Sequence, residues 1–310
     1  MPQQWRYHPA LLDFTMTAVT ASLLPQWSLL RFSGADAQTF LHGQLTCDVV
    51  ALQVGSSAYG GYCTPKGRLL ATFLLWLSTD GYTMLLPSVL AEPIRKRLTM
   101  YVLRSKVKVE DLTPERACIG VSGADAAQQL AALGAVMPER THGVAVRDDV
   151  TVIHLPVQRC LVVLPRARAA MADGGDAWTG LDITNGIPFI LPATQEEFVP
   201  QMVNLDLIGG LSYTKGCYPG QEIVARTHYL GKLKQRMYRA KVSADAVPGD
   251  KLYCDVLGEQ SGGMIVSSAA DDPRDVLAVL QTAHARSSSW HLRSLQGPAL
   301  ELGSLPYKTD

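Results

Sequence analysis

Apolar residues fall along this chain in short runs of strand length, each closed by a polar or glycine-containing corner. Trp27 to Phe32 is one such run. Ser33-Gly34-Ala35-Asp36-Ala37 follows it, then a helix-like stretch from Gln38 to His42 whose start Ser33 or Asp36 would cap or charge. The same five residues recur at Ser122-Gly123-Ala124-Asp125-Ala126, after the apolar run Ala117 to Val121 and before a helical pattern, Gln128 to Leu133, that stops at Gly134. Two readings stand: an internal duplication, or two ordinary strand-to-helix corners built from good cap and turn residues. Between the copies, Arg68 to Ser78 and Tyr82 to Leu86 flank Thr79-Asp80-Gly81 and predict a hairpin. Ser88 opens a helix through about Tyr101, and Lys106 to Asp111 alternates like a half-exposed strand. Thr151 to Leu155 with Arg159 to Leu164 predicts a second hairpin. Antiparallel sheet with helices packed on one face follows, an α+β core.

From Met237 onward the pattern changes. Short apolar runs at Met237 to Val242, Lys251 to Val256, Gly263 to Val266 and Val276 to Leu280 are separated by Gly, Pro, Ser and Asp clusters. A small β-barrel is expected there, giving a core over 1–236 and a barrel over 237–310.

Composition narrows the function classes. A chain of 310 residues that is 47% hydrophobic can bury more than one core. Lys plus Arg equals Asp plus Glu at 28 each, so no global field draws nucleic acid or membrane, and electrostatic binding needs a local patch. Such a patch runs from Tyr213 to Lys241, where Lys215, Arg226, Lys232, Lys234, Arg236, Arg239 and Lys241 face one acid, Glu222, with Tyr218, Tyr229 and Tyr238 interleaved. It suits a polyanion, either the acidic tail of a small molecule or an RNA; a solvated surface is the bland alternative. The six cysteines form no close pair, which argues against a disulfide scaffold and against a local zinc or iron–sulfur motif, so no permanent metal is expected and a reducing cytoplasm fits. Met1 to Pro25 lacks the pattern of a secretory signal, and the apolar run Leu69 to Leu77 is too short to span a bilayer.

The strongest chemical signal is Lys215-Gly216-Cys217-Tyr218-Pro219-Gly220-Gln221-Glu222. Its glycines allow positive φ and close approach of backbone to a ligand. A helix expected over Gln221 to Tyr229 puts Cys217 just ahead of a helix N-terminus and two residues from Lys215, both of which favour a reactive thiol. Glu222, in the first turn, suits the helix dipole and is available to orient a ligand. Taken one by one these residues read as a turn and a packed cysteine; eight together read as a site.

That string, continued by Ile223-Val224-Ala225-Arg226, resembles the signature of the YgfZ family, a branch of the glycine-cleavage T-protein (aminomethyltransferase) superfamily linked to folate binding and iron–sulfur protein maintenance. Trp27 to Asp48, with Gly34, Asp36, Gln44 and Thr46, resembles the family's N-terminal block, and Tyr62 to Arg68 its next strand. Gly186-Ile187-Pro188, Phe198-Val199-Pro200-Gln201 and Asn204-Leu205 resemble the approach to the signature, and Gly262 to Ser267 part of the terminal barrel. The resemblance implies a three-part ring-like fold with a central pocket for tetrahydrofolate or a related folate. It also implies that Trp27, Trp178, Thr184, Asn204, Lys215, Gly216, Tyr218, Gly220, Gln221, Glu222 and Arg226 serve that ligand, with the two indoles offering faces to the flat pterin.

Two departures qualify the resemblance. The transfer enzyme carries a carboxylate where this chain has Lys66-Gly67-Arg68-Leu69-Leu70-Ala71, so glycine-cleavage aminomethyl transfer loses its key group. The family commonly has Ile-Glu-Ala-Gly where this chain has Ile183-Thr184-Asn185-Gly186, which replaces a carboxylate for the pterin by a hydroxyl. The leading expectation is a folate-binding accessory protein for synthesis or repair of iron–sulfur enzymes, including those that thiolate tRNA. Its implied partners are folate and iron–sulfur enzymes or assembly proteins, with tRNA indirect. A folate-dependent one-carbon transferase or demethylase using Asp182 or Glu222, an RNA-binding module using Lys232, Lys234 and Arg236, and, weakest, a cysteine hydrolase using His228 are the alternatives.

Overall fold

Strands form where the apolar runs lie, and burial explains their composition. The run Leu69–Ser78 is buried on both faces over most of its length, which is why it reads as continuous rather than alternating. The computed structural model describes residues 21–229, 231, 233–271 and 273–309; the segment read above for a secretory signal lies outside them up to residue 20, as does Lys232. The described residues divide into two compact units, one of 21–60 and 73–178, the other of 61–72 and 179–309. Among them, no helix is long and apolar enough to cross a membrane.

Two five-stranded sheets organise the first unit. One runs in the order Ser57–Cys63, Leu69–Ser78, Gly81–Pro87, Trp27–Ser33, Lys108–Asp111, and its first two strands carry the chain out of this unit and back. The other runs Ser22–Leu23, Arg116–Ser122, Arg159–Pro165, Val150–Leu155, Val144–Arg147. Both expected hairpins are present, and the helix expected from Ser88 spans Ser88–Val102. In the second sheet Ile119 and Val121, Val150 and Val152, and Cys160, Val162 and Leu164 share one face at strand period and bury Ala126 and Leu130 of the helix Ala126–Ala132. Gly120 points to the opposite face.

The two five-residue copies build matching corners. Gly34 and Gly123 take φ of 110° and 100°, and Ala37 and Ala126 donate backbone hydrogen bonds to Gly34 and Gly123 at 3.1 Å. Each corner leads from a seven-residue strand into a short helix. The expected side-chain cap is absent: Asp36 stands at the N-cap position, but its carboxylate accepts from the Lys106 amide at 2.7 Å and so ties the corner to the loop that leads into the strand Lys108–Asp111.

The second unit ends in the expected barrel. It closes through six strands, Gln235–Val242, Arg274–Gln281, Gly263–Ser268, Lys251–Cys254, Trp290–Leu292 and Ala299–Leu302. Val276, Ala278 and Leu280 alternate inward with Ala240 and Val242, and Trp290 fills the interior. The sequence reading lacked the last two strands and the helix Gly175–Thr184. It also extended the strand that starts before Tyr62 to Arg68, whereas that strand stops at Cys63 and the chain turns.

Candidate functional site

That turn is what the signature loop rests on. Thr64-Pro65-Lys66-Gly67 closes with the Gly67 amide donating to Thr64 O at 2.9 Å and the Thr64 amide to Arg68 O at 2.8 Å, with Gly67 at φ 70°. The signature makes a second turn, Tyr218-Pro219-Gly220-Gln221, in which the Gln221 amide donates to Tyr218 O at 3.1 Å and Gly220 takes φ 81°. Proline at the second position and glycine at the third are what a type II turn requires. The two turns interlock: a Cβ on Gly220 would stand 2.5 Å from Gly67 Cα and N and from Thr64 O. A Cβ on Gly67 would stand 3.1 Å from Gly220 O and from Ile223 Cβ. Both glycines are therefore required by contact as well as by conformation.

From this point the helix Gln221–Tyr229 folds back along the loop that precedes it. Val224 packs with Leu211 and Tyr218, and its carbonyl accepts from Gln201 Nε2 at 2.7 Å. At the far end the His228 ring stacks on Tyr213, with centroids 3.8 Å apart and planes at 16°. Lys215 is buried at 8% exposure with Nζ 5.0 Å from the Tyr218 ring centroid, a cation–π contact. Burial pushes the Tyr218 phenol up, with the neighbouring Cys63 contributing, and its hydroxyl has no hydrogen-bond partner among the described residues. Gln221 Nε2 donates to Lys215 O at 3.4 Å and braces the loop across its own turn.

Asn204 braces it from outside. Held at φ 59°, its side chain donates to Met237 O at 2.8 Å, so this residue joins the loop's support to the first barrel strand. Beside it Arg236 makes a two-pronged ion pair with Asp206 at 2.7 and 2.9 Å and donates to Gln201 O at 2.9 Å. Gly216, Cys217, Glu222 and Arg226 remain exposed, and among the described residues neither Glu222 nor Arg226 has an ion-pair partner. Cys217 stands apart from the other five cysteines, all of them buried. Burial alone pushes the Cys63 thiol far up, and it raises those of Cys118 and Cys160 to about 12, so these three are poor nucleophiles.

Of the remaining residues assigned to a ligand, Trp27 and Trp178 belong to the first unit and Thr184 to the second. Trp27 opens the strand Trp27–Ser33 at 6% exposure. Trp178 is 2% exposed; its ring lies on Gly120, where a Cβ would come within 2.4 Å, and the Arg159 guanidinium stands over it at 5.2 Å. Protein groups thus already occupy the indole surface expected for pterin stacking. The Thr184 hydroxyl donates to Gly180 O at 2.9 Å, one helical turn back. Asp182 is buried, leaving Glu222 as the exposed acid of the two considered for transfer chemistry.

The basic patch contracts. Arg236 and Arg239 are neutralised by Asp206 and Asp275, Lys215 is buried, and Lys232 lies outside the described residues, which leaves Arg226, Lys234 and Lys241 exposed. Local charge counting overstated the patch because its counter-ions come from distant segments. His228 is no base for Cys217: it stacks on Tyr213, roughly 10 Å along the helix from the turn. Sequence reasoning missed the Thr64–Gly67 turn, Gln201, Tyr213 and Asp206 as parts of the site. Only the Pro and Gly of the two turns carried a local signal.

Comparison with known proteins agrees with this architecture. Residues 24–160 match the model of the GCVT N-terminal domain family. The chain is 32% identical to the tRNA-modifying protein YgfZ of Edwardsiella ictaluri over 94% of this chain and 93% of that protein. It is 33% identical to the namesake from Hamiltonella defensa over 78% and 75%. The fold is similar to that of the glycine cleavage system aminomethyltransferase T from Bartonella henselae, with a TM-score of 0.74 at 17% identity, covering 96% of this chain and 88% of that one. On the strength of full-length relatives above 30% identity, this chain belongs to the YgfZ family.

Proposed function

We propose that this protein binds tetrahydrofolate and acts in the cytoplasm as an accessory to the synthesis or repair of iron–sulfur enzymes, among them enzymes that modify tRNA, with Cys217 as its working thiol. The observation that carries the thiol role is selective exposure. Five cysteines are buried, while Cys217 is presented on a loop fixed by backbone contact between two turns. The six cysteines form no close pair in the sequence, which suits transient ligation or thiol exchange by Cys217.

The folate role is supported by membership of the family and by the GCVT domain match. Among the residues of the signature and its helix assigned to the site, Gly216, Cys217, Glu222 and Arg226 are exposed, while Lys215, Tyr218, Gly220, Gln221 and Asn204 build the frame. Arg226 suits a folate carboxylate and Glu222 an N–H donor of the pterin. Trp178 and Thr184 are already committed within the protein, the indole to Gly120 and Arg159 and the hydroxyl to Gly180 O.

Calorimetric titration with tetrahydrofolate tests this. Saturable binding that weakens in Arg226→Ala and Glu222→Gln is expected; absence of binding to the intact protein would remove the folate assignment. The exposed, unpaired Glu222 also keeps one-carbon transfer in view. Turnover of a methylated amine with tetrahydrofolate, lost in Glu222→Gln, would favour that reading over the accessory role.

A further inference from the structure

Five cations of the second unit are matched. Arg236, Arg239, Lys251, Arg274 and Arg293 each sit against a carboxylate, respectively Asp206, Asp275, Glu197, Asp245 and Asp250. Arg286 and Lys308 have no ion pair or hydrogen bond from their side chains among the described residues, and both line one cavity of about 140 Å³. Its other walls include the rings of Tyr238 and Tyr307, the side chain of Leu305 and the hydroxyl-bearing Ser304. The cavity is preformed. The Gly303 amide donates to Arg239 O at 2.9 Å, which pins one end of the wall to the barrel. The buried Tyr307 hydroxyl donates to Gly186 O at 2.7 Å and pins the other. Gly186 takes φ 64°, and a Cβ there would stand 2.5 Å from the Tyr307 hydroxyl, so this anchor depends on a glycine.

Size decides what such a cavity takes. At a liquid-water share of about 30 Å³ per molecule, it has room for roughly five water-sized groups. Whole cofactors occupy pockets of roughly 300–1,000 Å³, so this is no place for a pterin-bearing ligand. Two unmatched cations and a hydroxyl set in tyrosine and leucine walls are the chemistry of an oxyanion carried on a short apolar stem. We propose that the cavity lined by Arg286, Lys308 and Ser304 is a binding site for a small oxyanion, either a phosphate group or a carboxylate. The site is separate from the Cys217 loop and does not rest on the folate reading.

The test is calorimetric titration of the full chain with orthophosphate and, separately, with glutarate, a short dicarboxylate. Wild type, Arg286→Gln, Lys308→Gln, the double variant and the exposed control Lys241→Gln are compared. Both cavity cations are exposed, so the variants are expected to fold, and thermal melts check it. Saturable one-to-one binding of at least one anion is expected, weakened roughly tenfold by either single change, abolished in the double variant and unchanged in the control. Which anion binds identifies the source. No saturable binding of either anion would overturn the site. Binding equal in wild type and the double variant would do the same, because it would mean an adventitious ion only.

Discussion

Gly67 and Gly220 meet backbone to backbone, with no room for a Cβ on Gly220 within 2.5 Å of Gly67 and Thr64. The exposed thiol three residues before Gly220 inherits its position from this contact. Gly220→Ala is therefore expected to destabilise by more than about 2 kcal/mol, combining the left-handed backbone cost with a clash against main chain that cannot swing aside. Gly134→Ala is the control: φ is 73° but nothing lies within 4 Å of the added Cβ, so only the conformational cost of about 1 kcal/mol should appear in urea midpoints.

Trp178 is held between sheet and guanidinium, so its removal should be read first as a packing defect. Trp178→Ala is expected to cost roughly 3–5 kcal/mol, and Trp178→Phe much less. Denaturant melts separate the two effects: a loss of ligand binding in the alanine variant that the phenylalanine variant does not share reports collapse of the indole site.

The Arg236–Asp206 pair is largely buried, with side chains 16% and 13% exposed. Asp206→Ala strands the guanidinium beside Gln201 and Asn204 and is expected to destabilise by roughly 3 kcal/mol. Changing Arg236 to Met in the same chain should recover part of that loss, which equilibrium unfolding of the single and double variants measures.

His142 gives stability a pH dependence. Burial, with His154 and Arg159 nearby, lowers its pKa from 6.5 to about 4, and the imidazole lies 3.3 Å from the Ser57 hydroxyl. A base depressed in the folded state is neutral in both states above pH 6.5, and the unfolded chain binds the extra proton below it. Stability should be full above pH 6.5 and fall by about 3 kcal/mol as pH drops towards 4, flattening below that. Urea titrations between pH 7 and 4.5 should show this slope, and His142→Gln should lose it.

Much of the fold was legible because it follows from local pattern. The short apolar run in Thr151 to Leu155, the Asp-Gly turn after Thr79 and the glycine stop at Gly134 each act within a few residues. The helix Gly175–Thr184 escaped because Gly174, Gly175 and Gly180 blur its period and its burial is set by a distant glycine, Gly120. The strands Trp290–Leu292 and Ala299–Leu302 escaped because three or four residues carry too little alternation to be seen without the barrel they close. The candidate site divided in the same way. Cys217 and its turn were visible as a string, whereas the Thr64–Gly67 turn beneath it lies some 150 residues earlier and Asp206 cancels a charge that sequence counting left free. Long-range partners have no local signature.

In the proposed function the interlocked turns serve to present Cys217 as a working thiol. The most direct measurement is the activity of iron–sulfur enzymes in cells lacking this protein and supplied with wild type, Cys217→Ser, or Cys254→Ser as a buried-cysteine control, each checked for equal abundance. Wild type and Cys254→Ser should restore activity and Cys217→Ser should not; full restoration by Cys217→Ser would contradict the claim.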